Sequence, residues 1–114
     1  MIEYHDRLRR LALNDSAFAD SVLALGRDTV EASRMDQKTH SLVRLGALAA
    51  VDATPSGFHA SVEAALAAGA TVDEIVGVLI AVAPEIGLAR VTAAAPNLAL
   101  ALGYDVEAAL EAPD

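Results

Sequence analysis

The chain has no cysteine and no tryptophan, and it has only two Phe and two Tyr among 114 residues. Without cysteine there can be no disulfide bond, no thiolate metal site and no thiol redox centre. The scarcity of aromatic residues favours a core of small side chains, in which helices approach each other closely. No segment has a convincing two-residue alternation of apolar and polar residues, which a half-buried strand would show. The composition therefore predicts an all-α protein.

Long hydrophobic segments are also lacking. The longest uncharged apolar runs are residues 75–84 and 91–104, whereas a membrane-spanning helix needs about 20 residues. The first residues, Met-Ile-Glu-Tyr-His-Asp-Arg, do not resemble a signal peptide, because charges interrupt them before any hydrophobic segment begins. From these features we expect a soluble, cytoplasmic protein that has no membrane partner.

Basic residues are few and unevenly distributed. The formal net charge is −8, which opposes attraction to phosphate backbones, so nucleic acid is not expected as a partner. Seven of the eight Lys and Arg residues lie in residues 1–44, and Arg90 alone lies in residues 45–114. Hydrophobic residues make up 54% of the chain, which is rich for a small monomer. We therefore expect other copies of the chain to cover part of its apolar surface.

The length of 114 residues predicts a single domain with one core. The expected segments are peripheral N-terminal helices in residues 1–35 (2–12 and 16–25, then a linker or helical turn at 27–35), a core at 36–103 whose first helix covers 37–51, and an acidic C-terminal helix or tail at 104–114.

Residues 59–75 are the most informative part of the chain. An alanine-rich stretch predicts a helix that ends at Gly69, since glycine accepts the left-handed backbone that commonly follows a helix. Thr71 and Glu74 have the spacing of a capping box at the start of the next helix. This pattern predicts a helical hairpin. The residues that should face inward from its first helix are Phe58, Val62 and Ala65.

Two prolines interrupt the apolar helices that follow. The helix after Thr71 keeps helical spacing as far as Ile86, although Pro84 should kink or end it. Beyond it, apolar residues recur at intervals of three and four, the spacing of a close helix-helix seam and a possible contact between copies. Within that seam, Pro96 either starts a new helix or kinks a long one. The seam residues are Leu88, Val91, Ala95, Leu98 and Leu102.

Three sequence elements resemble one protein family. They are Asp-Gln-Lys-Thr ending at Thr39, Ala-Ala-Leu-Ala-Ala-Gly-Ala-Thr-x-Asp-Glu-Ile ending at Ile75, and Val-Ala-Pro-Glu-Ile-Gly ending at Gly87. Over roughly residues 36–103 the chain resembles the carboxymuconolactone decarboxylase and alkylhydroperoxidase D-like family. The resemblance implies an all-α helical bundle with a central hairpin, assembled as a homotrimer or homohexamer with its site at or near a subunit boundary.

The resemblance also implies where relatives hold their reactive residues. In the redox branch, two cysteines would fall near Thr54 and Gly57, a histidine on Ser61 and a glutamate near Ser41, and none of these side chains is present. The chain thus resembles a cysteine-less member, and without a thiolate it is not a thiol peroxidase. Members of the decarboxylase branch usually keep the histidine, whereas His59 lies two residues earlier, about 200° around a helix.

Several residues are candidates for catalysis or binding. His59 and Glu63 share a helix face and can form an acid-base pair, although exposed pairs of this spacing often have no function. Arg90 can clamp a substrate carboxylate through its two-pronged guanidinium, or form an ion pair with Glu85 or Glu63. Glu85, beside Pro84, can act as a base if apolar surroundings raise its pKa, or be a solvated acid at a helix start.

His40 and Arg44, one helical turn apart, either add positive charge to a pocket shared with Arg90 or point to solvent. The histidines and acids lack metal-binding spacing, and no glycine-rich phosphate loop is present, so no metal or cofactor is expected.

The predicted function is that of a cofactor-independent lyase, resembling a decarboxylase, that acts on a small anionic organic substrate. The alternative is a non-catalytic oligomeric module, for binding or scaffolding, that has lost the family's active site. For the enzyme, the expected catalytic residues are His59, Glu85 and Glu63, and the expected substrate-binding residues are Arg90 and Arg44.

Overall fold

The computed structural model describes residues 2–13, 20, 23 and 29–111. Over these residues the secondary structure is helical, without a strand, which confirms the predicted all-α class. The chain divides into two compact units, Met1–Met35 and Asp36–Asp114. The described helices are α1 (Ile2–Ala12), α2 (Val30–Ser33), α3 (Gln37–Ala50), α4 (Pro55–Ala67), α5 (Val72–Ile86), α6 (Leu88–Ala101) and α7 (Val106–Glu111). None of them is both long and apolar enough to cross a membrane.

In the first unit, α1 has the bounds that the sequence predicts. Asp6 forms ion pairs with Arg9 at 2.9 Å and with Arg10 at 3.0 Å, both within reach along one helix face. The predicted helix over residues 16–25 lies outside the described residues, apart from positions 20 and 23, which are helical. The segment at residues 27–35, for which a linker or a helical turn was predicted, contains the one-turn helix α2.

The second unit is a bundle in which α4 packs on α6 and α3 packs on α4 and α5. Helix α3 begins after Asp36, whose carboxylate accepts a 2.8 Å hydrogen bond from the Thr39 N–H. The inward-facing residues predicted for α4 are confirmed as buried. The buried core consists of Leu45, Ala49, Phe58, Val62, Ala65, Ala70, Ile75, Leu79, Ala94 and Leu98.

Close helix approach is visible where α3 crosses α5. Gly46 is buried there, and a Cβ atom at this position would lie 3.2 Å from Val82 Cγ1 and 3.4 Å from Val78 Cγ1. Even an alanine here would require the Val82 side chain to shift by a few tenths of an ångström. The contact illustrates the small-residue core that the composition predicts.

Two short connections of the same form join α3 to α4 and α4 to α5. In each, the C-cap residue of the helix is followed by a residue with positive φ, then by an alanine, then by a threonine that caps the next helix. The alanine N–H donates to a carbonyl of the preceding helix: Ala53 to Leu48 at 3.1 Å, and Ala70 to Ala65 at 3.0 Å. We call residues 51–54 the first turn and residues 68–71 the second turn.

The second turn carries the predicted capping box. The Glu74 N–H donates to Thr71 Oγ1 at 3.0 Å, and the Thr71 N–H donates to Glu74 Oε1 at 2.9 Å. Glu74 also pairs with Lys38 at 3.0 Å. The backbone hydrogen bond from Thr71, followed by the Lys38 ammonium, holds the pKa of Glu74 below its ordinary value. These contacts tie the starts of α3 and α5 together.

The two prolines lie inside helices. Helix α5 continues through Pro84 to Ile86, so Pro84 does not end it. Pro84 has no N–H to donate to the Ile80 carbonyl, and the helix lacks that hydrogen bond. Pro96 lies within the single helix α6, so it does not start a new helix.

The predicted seam turns out to face the protein's own core. Leu98 is buried, and Ala95 and Leu102 pack against the core cluster. Of the seam residues, Leu88 is the most accessible, at 77% exposed. The role of the seam as a contact between copies stays a prediction.

Candidate functional site

A cleft of about 500 Å³ lies between the first turn, the start of α4 and one face of α6. This volume falls within the range of roughly 300–1,000 Å³ that is usual for small-molecule sites. Most of the lining is apolar, and three polar side chains interrupt it. The apolar residues are Ala53, Phe58, Ala89, Ala93 and Ala94, and the polar residues are Asp52, Arg90 and Asn97.

Helix α6 supplies two of the polar residues. Arg90 lies in its first turn and Asn97 lies seven residues later, a spacing that places both on the same helix face. The Arg90 side chain is exposed, and one guanidinium nitrogen donates a 3.4 Å hydrogen bond to the Ile86 carbonyl at the end of α5. Its remaining N–H groups give the cleft a positive charge with several donors.

The third polar residue, Asp52, has an unusual backbone. Its φ is 54°, in the left-handed region that favours glycine. In the unit from residue 36 onward, all of which is described to residue 111, the other residues with positive φ are Gly69, Gly87 and Gly103. Asp52 thus brings a carboxylate to the cleft at a position where the backbone favours glycine.

Arg90 is the one predicted site residue that lines the cleft. His59 and Glu63 are brought together, with 3.1 Å between Nε2 and Oε1, but their side chains are 59% and 68% exposed and neither lines the cleft. Glu85 is exposed and also lies outside the lining, as does the half-buried Arg44. The predicted roles of these four residues remain predictions.

His40 and Ser41 lie on the inner side of α3. His40 is 9% exposed, so it does not point to solvent, one of the two alternatives that its sequence position left open. Ser41, near the position of the relatives' glutamate, is equally buried. Neither lines the cleft.

Asp52 and Asn97 line the cleft but were not predicted as site residues from the sequence. The signal for Asp52 was present, because Val51-Asp-Ala-Thr54 and Ala68-Gly-Ala-Thr71 share one pattern in which Asp replaces Gly. Asn97 gave no comparable signal, since it follows Pro96 in a segment that reads as apolar. Among the described residues, no group of three or more His, Asp or Glu side chains is placed to hold a metal ion.

Comparison with known proteins identifies the family. The model of the carboxymuconolactone decarboxylase family matches residues 16–99. That range begins earlier than the resemblance over residues 36–103 suggested, and it includes every residue of the cleft. No curated protein and no solved structure matches the chain. The chain belongs to the carboxymuconolactone decarboxylase family and is a member without cysteine.

Proposed function

We propose that this protein binds a small organic carboxylate in the cleft and acts on it by acid-base chemistry that needs no thiol. Membership of the family supports a decarboxylase-like class of reaction. The observation that carries the proposal is the position of Arg90, the sole Lys or Arg in residues 45–114, beside an apolar wall of Phe58 and four alanines. A guanidinium next to apolar surface suits an organic anion, because its fork matches a carboxylate while the wall takes the hydrocarbon.

Arg90 is the group that balances the substrate's charge throughout the reaction. In a decarboxylation the C–C bond to the carboxylate breaks, CO₂ leaves, and the electron pair moves onto a neighbouring carbonyl oxygen as an enolate. One arm of the guanidinium holds the carboxylate and the other holds that carbonyl, so the negative charge stays beside Arg90 as it moves. The Asn97 amide supplies a further donor on the same helix face.

Proton transfer falls to water in this proposal. The enolate carbon is the carbon that loses CO₂, beside Arg90, and it takes one proton from water. Water can reach it because Asp52 and Arg90, which line the cleft, are both exposed. His59, Glu63 and Glu85 remain outside the proposed reaction because none of them lines that cleft.

Binding of pentanoate tests the role of Arg90. We expect pentanoate, at about ten times a Kd of about 1 mM, to shift the backbone amide NMR signals of Ala89, Ala93 and Asn97. Arg90→Gln should weaken this binding at least about tenfold, the loss of one charged hydrogen-bonding partner. Arg9→Gln, which removes the same charge from an exposed arginine of α1, should leave it unchanged. Equal binding by both variants would disprove the proposal.

Turnover separates the enzyme from the alternative of a non-catalytic binding module. Incubation with monocarboxylates that carry a carbonyl β to the carboxylate, including carboxylated lactones, should release CO₂ faster than in buffer, and Arg90→Gln should slow the release. Binding that depends on Arg90 without any CO₂ release would instead favour the binding module.

Self-association is also part of the proposal, and it is assigned to the outer face of α5. Val72, Val76 and Ile80 lie one turn apart and are 52%, 43% and 72% exposed. Beside them, nothing lies within 4 Å of a Cβ built at Gly77, so another helix can approach. No charge lies between Glu74 and Glu85, so two copies can meet here without repulsion despite the net charge of −8.

Sedimentation velocity tests the assignment of this face. Wild-type protein should sediment as an oligomer, and Ile80→Glu should reduce its mass to that of a monomer. Leu110→Glu, at another highly exposed aliphatic residue, should not change the mass. A wild-type monomer, or an oligomer unaffected by Ile80→Glu, would rule out the α5 face.

A further inference from the structure

From the pair of opposite charges in the cleft we infer that the substrate carries a single carboxylate at one end and a hydrogen-bond donor, hydroxyl or ammonium, at the other, and that dicarboxylates are rejected. The inference rests on the proposed function, since it takes Arg90 as the group that holds the carboxylate. Asp52 is the residue that sets the specificity.

Charge is the first support. Asp52 and Arg90 line the same cleft, and the contact that the structure gives the Arg90 guanidinium is to the Ile86 carbonyl, not to Asp52. In the described part of the chain, no ion pair joins the two side chains. A ligand in this cleft thus meets both a cation and an anion. Because like charges repel at short range, a second carboxylate at the Asp52 end is disfavoured, whereas an ammonium or hydroxyl is attracted.

The backbone of the first turn is the second support. The corresponding residue of the second turn is Gly69, with φ of 96°, and the residue after α6 is Gly103, with φ of 90°. Asp52 has the same role after α3, with φ of 54°, and aspartate is one of the few residues with a Cβ atom that adopt this backbone region readily. A functional constraint is expected at a position where another residue replaces the usual glycine and where that residue's side chain lines a cleft. At this position the side chain is a carboxylate.

The apolar lining of the cleft defines the rest of the ligand. Ala53 and the buried Phe58 come from the first turn and α4, and Ala93 and Ala94 come from α6. These side chains offer no hydrogen-bond partner, so the middle of the ligand is hydrocarbon, as a short chain or a ring. Asn97 adds one neutral amide that can both donate and accept.

Four ligands of matched length test the inference: pentanoate, 5-hydroxypentanoate, 5-aminopentanoate and pentanedioate. Dissociation constants come from NMR titration of the wild-type protein. We expect 5-aminopentanoate and 5-hydroxypentanoate to bind more tightly than pentanoate, and pentanedioate to bind about tenfold more weakly than 5-aminopentanoate, a factor that corresponds to about 1.4 kcal/mol. Pentanedioate binding as tightly as the hydroxy or amino acid would overturn the inference.

Asp52→Asn provides the matched variant, because asparagine has the same shape and also tolerates a left-handed backbone. In this variant pentanedioate should gain affinity and 5-aminopentanoate should lose it, each by about tenfold. An unchanged order of the four ligands would contradict a specificity role for Asp52. Failure of the proposed function has a different signature: pentanoate itself would then bind equally well to wild type and Arg90→Gln.

Discussion

The first and second turns have backbones of the same form, but they carry different residues at two equivalent positions. Both place an alanine and a threonine cap after a residue with positive φ, and both bury the residue four positions after the cap, Phe58 in one case and Ile75 in the other. The second turn has glycine at the positive-φ position and Glu74 to complete its capping box. The first turn has Asp52 and Gly57 at the equivalent positions.

The difference separates a turn built for stability from a turn built around a site. In the second turn, Gly69 suits the positive φ of the backbone, and Thr71 and Glu74 together cap the next helix. In the first turn the glycine and the glutamate are missing, and this is the turn that lines the cleft. It also contains Thr54, and Gly57 follows it, the positions near which the family resemblance places the cysteines of redox relatives. Local stability and the position of the site are therefore opposed in this chain.

The largest expected effect concerns what the two turns share. Phe58→Ala should lower the free energy of unfolding by about 3–5 kcal/mol, and Ile75→Ala by about 2–5 kcal/mol, because each side chain is 0–1% exposed and its removal leaves a cavity. Urea unfolding followed by circular dichroism measures both. A loss below about 1 kcal/mol at either position would show that the two turns are not anchored in the same way.

Placing aspartate in the second turn should make it resemble the first. Gly69→Asp should cost about 1–2 kcal/mol, since φ of 96° is unfavourable for a residue with a Cβ atom. Nothing lies within 4 Å of a Cβ at Gly69, and a Cβ at Gly57, near the start of α4, would make only ordinary contacts of 3.4 Å and longer. Gly57→Asp is therefore the matched control, and it should be neutral or stabilising by about 0.3 kcal/mol. Equal effects at both glycines in urea unfolding would mean that backbone conformation is not the cause.

The reverse change should stabilise the protein. Asp52→Gly removes backbone strain of about 1–2 kcal/mol from the folded state. Glycine also increases the conformational entropy of the unfolded chain, which costs about 0.4–1 kcal/mol, so a net gain in stability of about 0.5–1 kcal/mol is expected. Asp105→Gly is the control, because Asp105 caps α7 through a 3.0 Å hydrogen bond from the Ala108 N–H. That variant should lose a few tenths of a kcal/mol, about 0.3. Destabilisation by Asp52→Gly would show that the Asp52 carboxylate supports the fold.

The smallest effect is a dependence on pH that belongs to the second turn alone. The pKa of Glu74 is lowered by the Thr71 N–H and by Lys38, so its stabilising contribution is present above the unfolded-state pKa of about 4.3. It is lost as the pH falls through the lowered native pKa. Wild type should thus exceed Glu74→Gln in thermal stability at pH 7, and the difference should vanish at strongly acidic pH. For Glu85→Gln, which removes an acid without a capping role, the difference from wild type should not follow this course.

The sequence predicted the helices well because local chemistry determines them. The Asp36 cap, the Gly69 stop and the capping box of Thr71 are all short-range patterns, and the structure confirms each of them. The effect of Pro84 was harder to predict, because α5 continues past this proline despite the backbone hydrogen bond that a proline removes.

The site was less predictable because it depends on which helix faces meet. Arg90 stood out as a lone base, and it lines the cleft. His59 and Glu63 form the pair that their spacing suggests, but the pair lies on an exposed face. Helical periodicity shows which residues share a face and leaves undetermined what that face contacts. Asp52 was overlooked for another reason: its meaning emerges only from comparison with the second turn.

Titration of Asp52→Gly with 5-aminopentanoate, on a sample whose urea unfolding is measured in parallel, tests most directly whether the first turn gives up stability for binding. The account predicts a variant that is more stable than wild type by about 0.5–1 kcal/mol and binds this ligand about tenfold more weakly. A variant that gains stability and keeps its full affinity would contradict it.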